Sequence, residues 1–186
     1  MPPPTITRAV EAIRACRAPS RVATRVVAID GLGGSGKSSL AVLLSDVLDA
    51  SVVQTDDFAS WSNPVDWWPD LIERVFEPLA SGEPARYTPT NWGGGPERRE
   101  IVLEPSDLVL LEGVSASREA FRRYLAYSIW VETRREVRLR RGLERDGESA
   151  LPEWERWMAA EDAYVERERP AVHVDLVLPG DTDLWS

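Results

Sequence analysis

Residues 31–38 read Gly-Leu-Gly-Gly-Ser-Gly-Lys-Ser and satisfy the pattern G-x-x-x-x-G-K-[ST] in full. Few eight-residue stretches restrict a fold so strongly. Gly31, Gly33, Gly34 and Gly36 allow backbone conformations closed to other residues, so that N–H groups can converge on phosphate oxygens. An apolar, β-rich run, Arg25-Val-Val-Ala-Ile-Asp30, precedes the loop, and residues 39–48 follow with helical patterning. The start of that helix directs its positive dipole end at the same point. Lys37 is then expected on the β- and γ-phosphates of ATP, Ser38 on Mg²⁺, and Ser35 and Ser39 beside them.

Composition sharpens this expectation. Lys37 is the only lysine, against 21 arginines. Arg is a wide planar fork and Lys a compact point charge, so the one site that keeps Lys stands apart from a general preference for Arg. His173 is the only histidine and Cys16 the only cysteine. Histidine-ligated metals, Ser–His or Cys–His machinery and internal disulfides are therefore not expected, and His173 reads as a structural residue beside the final strand. The net charge of −9 argues against general nucleic-acid binding, which needs a basic surface. No secretory leader and no apolar stretch of membrane-spanning length is read, so a cytoplasmic location without a membrane partner is expected.

Strand and helix patterns alternate along the chain. Strands are expected at residues 25–30, 51–55, 108–112, 127–131 and 174–178, and helices at 5–16, 39–48, 69–79, 117–125, 132–145 and 152–169. Such alternation implies an α/β fold of three layers, with a parallel sheet of about five strands and helices on both faces. One domain over residues 1–186 is expected, with a lid around 134–150 and an acceptor-binding insert around 58–99.

Acidic residues follow two of the strands. Glu112 ends Leu108-Val-Leu-Leu-Glu112, where the C-terminal edge of a neighbouring strand would face the phosphates, and is expected on the magnesium side. Asp56 and Asp57 end the second strand. A carboxylate there could orient an acceptor hydroxyl and take its proton, or could simply close a turn or cap a helix. A Ras-type GTPase is excluded, because its guanine-reading motif needs a second lysine. Gln54, the only glutamine, sits too close to the second strand to orient a hydrolytic water. A small-molecule kinase remains.

The segment 134–145 holds six arginines and two glutamates. Arg134, Arg138, Arg141 and Arg145 are spaced to share one helical face, which could close over phosphates or serve as a solvated face of Glu–Arg pairs.

The loop at 31–38, Thr55-Asp-Asp-Phe58 and Leu111-Glu-Gly113 occur in the order and spacing of the uridine kinase and nicotinamide riboside kinase family, which the chain resembles from about residue 26 to 146. The segment from Val131 to Asp146 is similar to that family's lid. Trp154, Glu161, Tyr164 and the strand near Asp175 resemble it more loosely. The resemblance implies a P-loop, nucleoside-kinase-like fold that uses ATP and Mg²⁺. It implies Asp56 as catalytic base, Glu112 as magnesium-side acid, and Arg138, Arg141 and Arg145 over the phosphates.

For the acceptor, Tyr87-Thr-Pro-Thr-Asn91-Trp92 occupies the place of a nucleoside-contacting segment, with Asn91 where related sequences often carry Asp. Phe58, Tyr87, Trp92 and Arg98 (or Arg99) are the expected contacts. Trp61, Trp67 and Trp68 can wall a pocket or anchor the insert to the core. A nucleoside-like acceptor is expected. A sugar, vitamin or hydroxy acid, a regulatory module without transfer and a nucleotide hydrolase are the alternatives.

Overall fold

The computed structural model describes residues 4–60, 67–91 and 98–181. Five strands, β1 (Arg25–Asp30), β2 (Ser51–Gln54), β5 (Leu108–Glu112), β6 (Leu125–Glu132) and β7 (Leu176–Pro179), form one sheet. Its order is β2-β5-β1-β6-β7 and every pairing is parallel. The α/β expectation holds, as do the five strands.

Side chains alternate between the two faces of a strand, and here both faces are covered. Val26 and Ala28 point to one layer with Val53, Val109 and Leu111, packed against Leu71, Phe76, Leu79 and Phe121. Val27 and Ile29 point to the other with Leu110, Ile129 and Val131, packed against Ile6, Ile13, Leu40 and Leu44. The first layer contains α3 (Trp68–Leu71) and α4 (Glu77–Ser81), joined by a π-turn at Ile72–Phe76. The second contains α1 (Pro4–Ala15) and α2 (Lys37–Leu48). Each such fully buried Val, Leu, Ile or Phe side chain contributes about 1.5–3 kcal/mol relative to exposure.

The register places the site. Ile29 and Gln54 both pair with Glu112, so β1, β2 and β5 end level with one another. Their following loops therefore open on the same edge. β1 lies between β5 and β6, where the chain's crossovers diverge, and this is the place at which parallel sheets leave a crevice.

Three local readings change. Residues 117–125, expected as a helix, form only a 3₁₀ segment at Glu119–Tyr124 before entering β6. The helix expected at 69–79 is interrupted by the π-turn. A short antiparallel pair, β3 (Ala85–Tyr87) with β4 (Ile101–Leu103), has no counterpart in the sequence reading, because three residues carry too little periodicity. The charged helices are α5 (Arg135–Asp146) and α6 (Leu151–Glu168), followed by α7 (Pro170–His173), which puts His173 just before β7. No described helix is long and apolar enough to cross a membrane.

Candidate active site

The loop leaves β1 at Asp30 and enters α2 at Lys37. Gly34 and Gly36 hold φ values of 75° and 95°, the left-handed region in which a Cβ is costly. Gly34 is constrained twice, since a Cβ there would lie 2.5 Å from the carbonyl oxygen of Arg138. The loop is thus built to touch α5 directly. Thr133 Oγ1 donates to Ser35 O at 2.9 Å and strengthens that contact.

At the start of α2 the Ser38 hydroxyl donates to Glu112 Oε1 at 3.0 Å, and Lys37 Nζ lies 3.9 Å from the same oxygen. Burial pushes the Glu112 carboxyl up, while Lys37 and the Ser38 hydroxyl pull it back toward ionisation. Among the described residues no group of three or more His, Cys, Asp or Glu gathers to hold a metal. Mg²⁺ keeps several waters and takes phosphate oxygens, so one hydroxyl and one carboxylate are a fitting protein share.

Asp30 is fully buried and accepts five hydrogen bonds. These come from Gly31 N at 2.7 Å, Ser115 N at 2.9 Å, Ser117 N at 2.9 Å, Ser117 Oγ at 2.6 Å and Tyr164 Oη at 2.7 Å. Its carboxylate joins the phosphate loop, the loop after β5 and α6. Burial and the neighbouring Asp30 push the Tyr164 phenol far up, so it remains the donor.

On the other side of Glu112, β2 runs into a 3₁₀ turn at Thr55–Asp57 that separates its two carboxylates. Asp56 is exposed and lines a cleft with Trp67, Ser115, Arg118, Trp157 and Glu161. Asp57 instead accepts from Tyr87 Oη at 3.3 Å, and its carbonyl accepts from Thr90 N at 2.7 Å. Burial raises the Asp57 carboxyl, opposed by the Tyr87 hydroxyl and by Arg98, and burial likewise raises the Tyr87 phenol. Phe58 packs on Tyr87 with ring centroids 4.9 Å apart. Phe58 and Tyr87 therefore meet behind Asp57 and do not line the cleft, and Arg98 acts toward Asp57. Trp61 and Trp92 lie outside the described residues.

Arg118 was not singled out in the sequence. It is buried on the loop after β5, with its guanidinium 5.4 Å from the Trp67 ring centroid, 5.8 Å from that of Trp68 and 5.7 Å from that of Phe121. Within a run expected to be helical, nothing separated it from 20 other arginines. Trp157, within the helix expected at 152–169, and Ser115, on the loop after β5, were also missed as cleft residues.

The four arginines expected to share one face diverge. Arg138 is buried, with NH1 donating to Glu161 Oε2 at 3.0 Å and Nε to Thr133 O at 3.3 Å. Arg141 donates to Gly34 O at 3.3 Å and Gly180 O at 2.8 Å. Arg145 pairs with Asp146 at 2.8 Å and lies 5.6 Å over the Trp154 ring, within the electrostatic reach of Asp56. Arg134 points away to Asp181 at 2.7 Å, in solvent. Of the four, Arg141 hydrogen-bonds the loop itself and Arg138 hydrogen-bonds its partners Thr133 and Glu161.

This arrangement defines a class: an α/β P-loop fold with a phosphate loop, a Ser–Glu pair and a carboxylate-bearing cleft on one sheet edge. No protein-family model matches the chain. A curated uridine kinase of Halobacterium salinarum is 25% identical over 180 residues, covering 82% of this chain and 79% of that protein. Among solved structures, a possible uridine kinase from Bacillus stearothermophilus superposes with a TM-score of 0.70 at 21% identity, covering 94% of this chain and 97% of the other. A Silicibacter sp. TM1040 protein, provisionally assigned as a fructose transport system kinase, gives 0.73 at 19% identity, covering 94% and 99%. The two solved structures share the fold, and the curated relative supports the resemblance to uridine kinase-like P-loop kinases and, with it, a small-molecule kinase.

Proposed function

We propose that this chain transfers the γ-phosphoryl group of Mg²⁺–ATP to a hydroxyl of a small molecule. The observation that carries the reading is the meeting of Ser38 Oγ, Lys37 Nζ and Glu112 Oε1 at one point, beside a cleft lined by Asp56. Bound ATP would supply the phosphoryl group, and Mg²⁺ would balance part of its charge. Loop N–H groups from Gly33 onward and the Lys37 ammonium bind the phosphates, the Gly31 N–H being held by Asp30, while Ser38 and Glu112 hold the metal side. Asp56 orients the acceptor hydroxyl and takes its proton. Arg138, Arg141 and Arg145 balance negative charge from the α5 side. One domain working in the cytoplasm, with a lid at 134–150 and without nucleic-acid or membrane partners, suits this chemistry.

For the acceptor we infer a nucleoside-like compound with a primary hydroxyl. Trp67 and Trp157 offer flat walls to the cleft. Phe58 and Tyr87 would back the acceptor site from behind Asp57, with Arg98 and Trp92 as further acceptor contacts. Arg118 favours a second reading. A guanidinium facing the same cleft suits an acceptor with a carboxylate, as in a hydroxy acid.

An acceptor screen for ADP release over nucleosides, sugars, vitamins and hydroxy acids tests both readings. Turnover of at least one nucleoside is expected. Turnover confined to carboxylate-bearing hydroxy compounds would select the second reading, and no acceptor-dependent release from any class would overturn the kinase.

A further inference from the structure

A carboxylate sits where a phosphate loop would be expected to welcome an anion. Glu161 Oε1 accepts the Gly33 N–H at 2.6 Å and the Trp157 indole N–H at 2.9 Å, and Oε2 accepts from Arg138 at 3.0 Å. The Glu161 and Arg138 side chains are only 3% and 5% exposed. Glu161 comes from α6, 128 residues beyond Gly33, so nothing local to the loop demands the contact. The loop is shaped to admit it. A Cβ on Gly33 would meet Glu161 Oε1 and the Trp154 ring at 3.1 Å each.

Three positive features converge on this one carboxylate: a loop amide, the Arg138 guanidinium and the nearby Lys37 ammonium. Carboxylate and phosphoryl oxygens make the same short, charge-assisted hydrogen bonds to N–H donors. Burial raises the Glu161 carboxyl above its ordinary value, and these partners pull it back toward ionisation. The ionised carboxylate therefore depends on donors of the kind that a terminal phosphate uses.

We propose that Glu161 is a positioning residue that stands in for the terminal phosphate in the nucleotide-free cleft, holding Gly33 N–H and Arg138 until ATP takes them over. The proposal rests on residues 31–38 being the ATP site. Removing one partner of a buried ion pair leaves the other uncompensated. Without the Glu161 charge, Arg138 lacks this anion in the free protein but gains one from bound nucleotide. ATP binding then recovers what the free form has lost, and its apparent affinity rises. Trp157, tied to Glu161 through its indole N–H, reports the exchange.

The test measures Mg²⁺–ATP binding by calorimetry, and melting with and without ATP, for wild type, Glu161→Gln and Glu161→Asp. Glu161→Gln keeps an oxygen for Gly33 but no charge for Arg138. It is expected to melt lower without ATP, to gain more in Tm on saturation, and to bind ATP about tenfold more tightly. Glu161→Asp keeps the charge and should bind closer to wild type. A folded Glu161→Gln protein with unchanged or weaker ATP affinity overturns the proposal. Should that variant not fold, the wild-type Trp157 indole resonance, assigned with Trp157→Phe, decides instead. It is expected to move at saturating ATP, and an unmoved resonance overturns the proposal. Wild type that binds no ATP overturns the loop reading itself, which the other failures leave intact.

Discussion

Tyr164 Oη donates to Asp30 Oδ2 at 2.7 Å across 134 residues of sequence. This bond fastens α6 to the end of β1, immediately before the phosphate loop. Through it the helix that carries Trp157 and Glu161 takes a defined position over the cleft.

Tyr164→Phe removes that donor and leaves a fully buried carboxylate with four remaining hydrogen bonds. A loss of about 1–2 kcal/mol of stability is expected. Urea unfolding with an unchanged m-value would measure it, and undiminished stability would mean that the bond is replaced by water.

Lys37→Ala deletes the point charge of the loop and its 3.9 Å contact with Glu112. Calorimetric affinity for Mg²⁺–ATP should fall at least tenfold and transfer should disappear, with the circular dichroism spectrum retained. Wild-type affinity in this variant would refute the loop assignment.

The two neighbouring aspartates should separate kinetically. Asp56 faces the cleft and Asp57 is engaged by Tyr87. Asp56→Asn should bind ATP normally but lower kcat about 10²-fold or more. Asp57→Asn keeps an oxygen for the Tyr87 hydroxyl and should act mainly on the acceptor KM. The reverse pattern would show that the base is Asp57.

Glu112 links stability to pH. Its folded value is raised above the ordinary 4.5 by burial. The folded form therefore binds this proton more tightly than the unfolded chain. The stabilisation from that proton is complete below 4.5 and is lost as pH rises through the folded value. Glu112→Gln stays neutral throughout, so nucleotide-free Tm should exceed wild type at neutral pH, with the advantage vanishing below 4.5. The same variant should lose Mg²⁺-dependent transfer. A Tm difference independent of pH would contradict this account.

Arg118→Ala should raise the acceptor KM more than it lowers kcat, while ATP affinity stays within about twofold. Arg118→Lys keeps the charge without the fork and should recover only part of the loss. Equal effects on ATP and acceptor would mean that Arg118 supports the cleft without reading its occupant.

The sequence alone specified whatever rests on local backbone pattern. Contiguous apolar runs marked β1, β5 and β6, the glycine spacing marked the phosphate loop, and strand-end position marked Glu112 and the pair Asp56 and Asp57, of which only the family resemblance singled out Asp56. These features need only neighbours in the chain, and parallel strands in register brought their ends to one edge. The tertiary structure decided the assignments that depend on distant partners. The 3₁₀ turn sends Asp57 to Tyr87 and leaves Asp56 to the cleft. Helical spacing grouped Arg134 with Arg138, yet Arg134 pairs with exposed Asp181 and Arg138 with buried Glu161. Arg118 and Trp157 enter the cleft from loops and helices that no spacing rule connects to Asp56. Periodicity states which face a residue shares, whereas the long-range packing of α5 and α6 on the phosphate loop determines what that face meets.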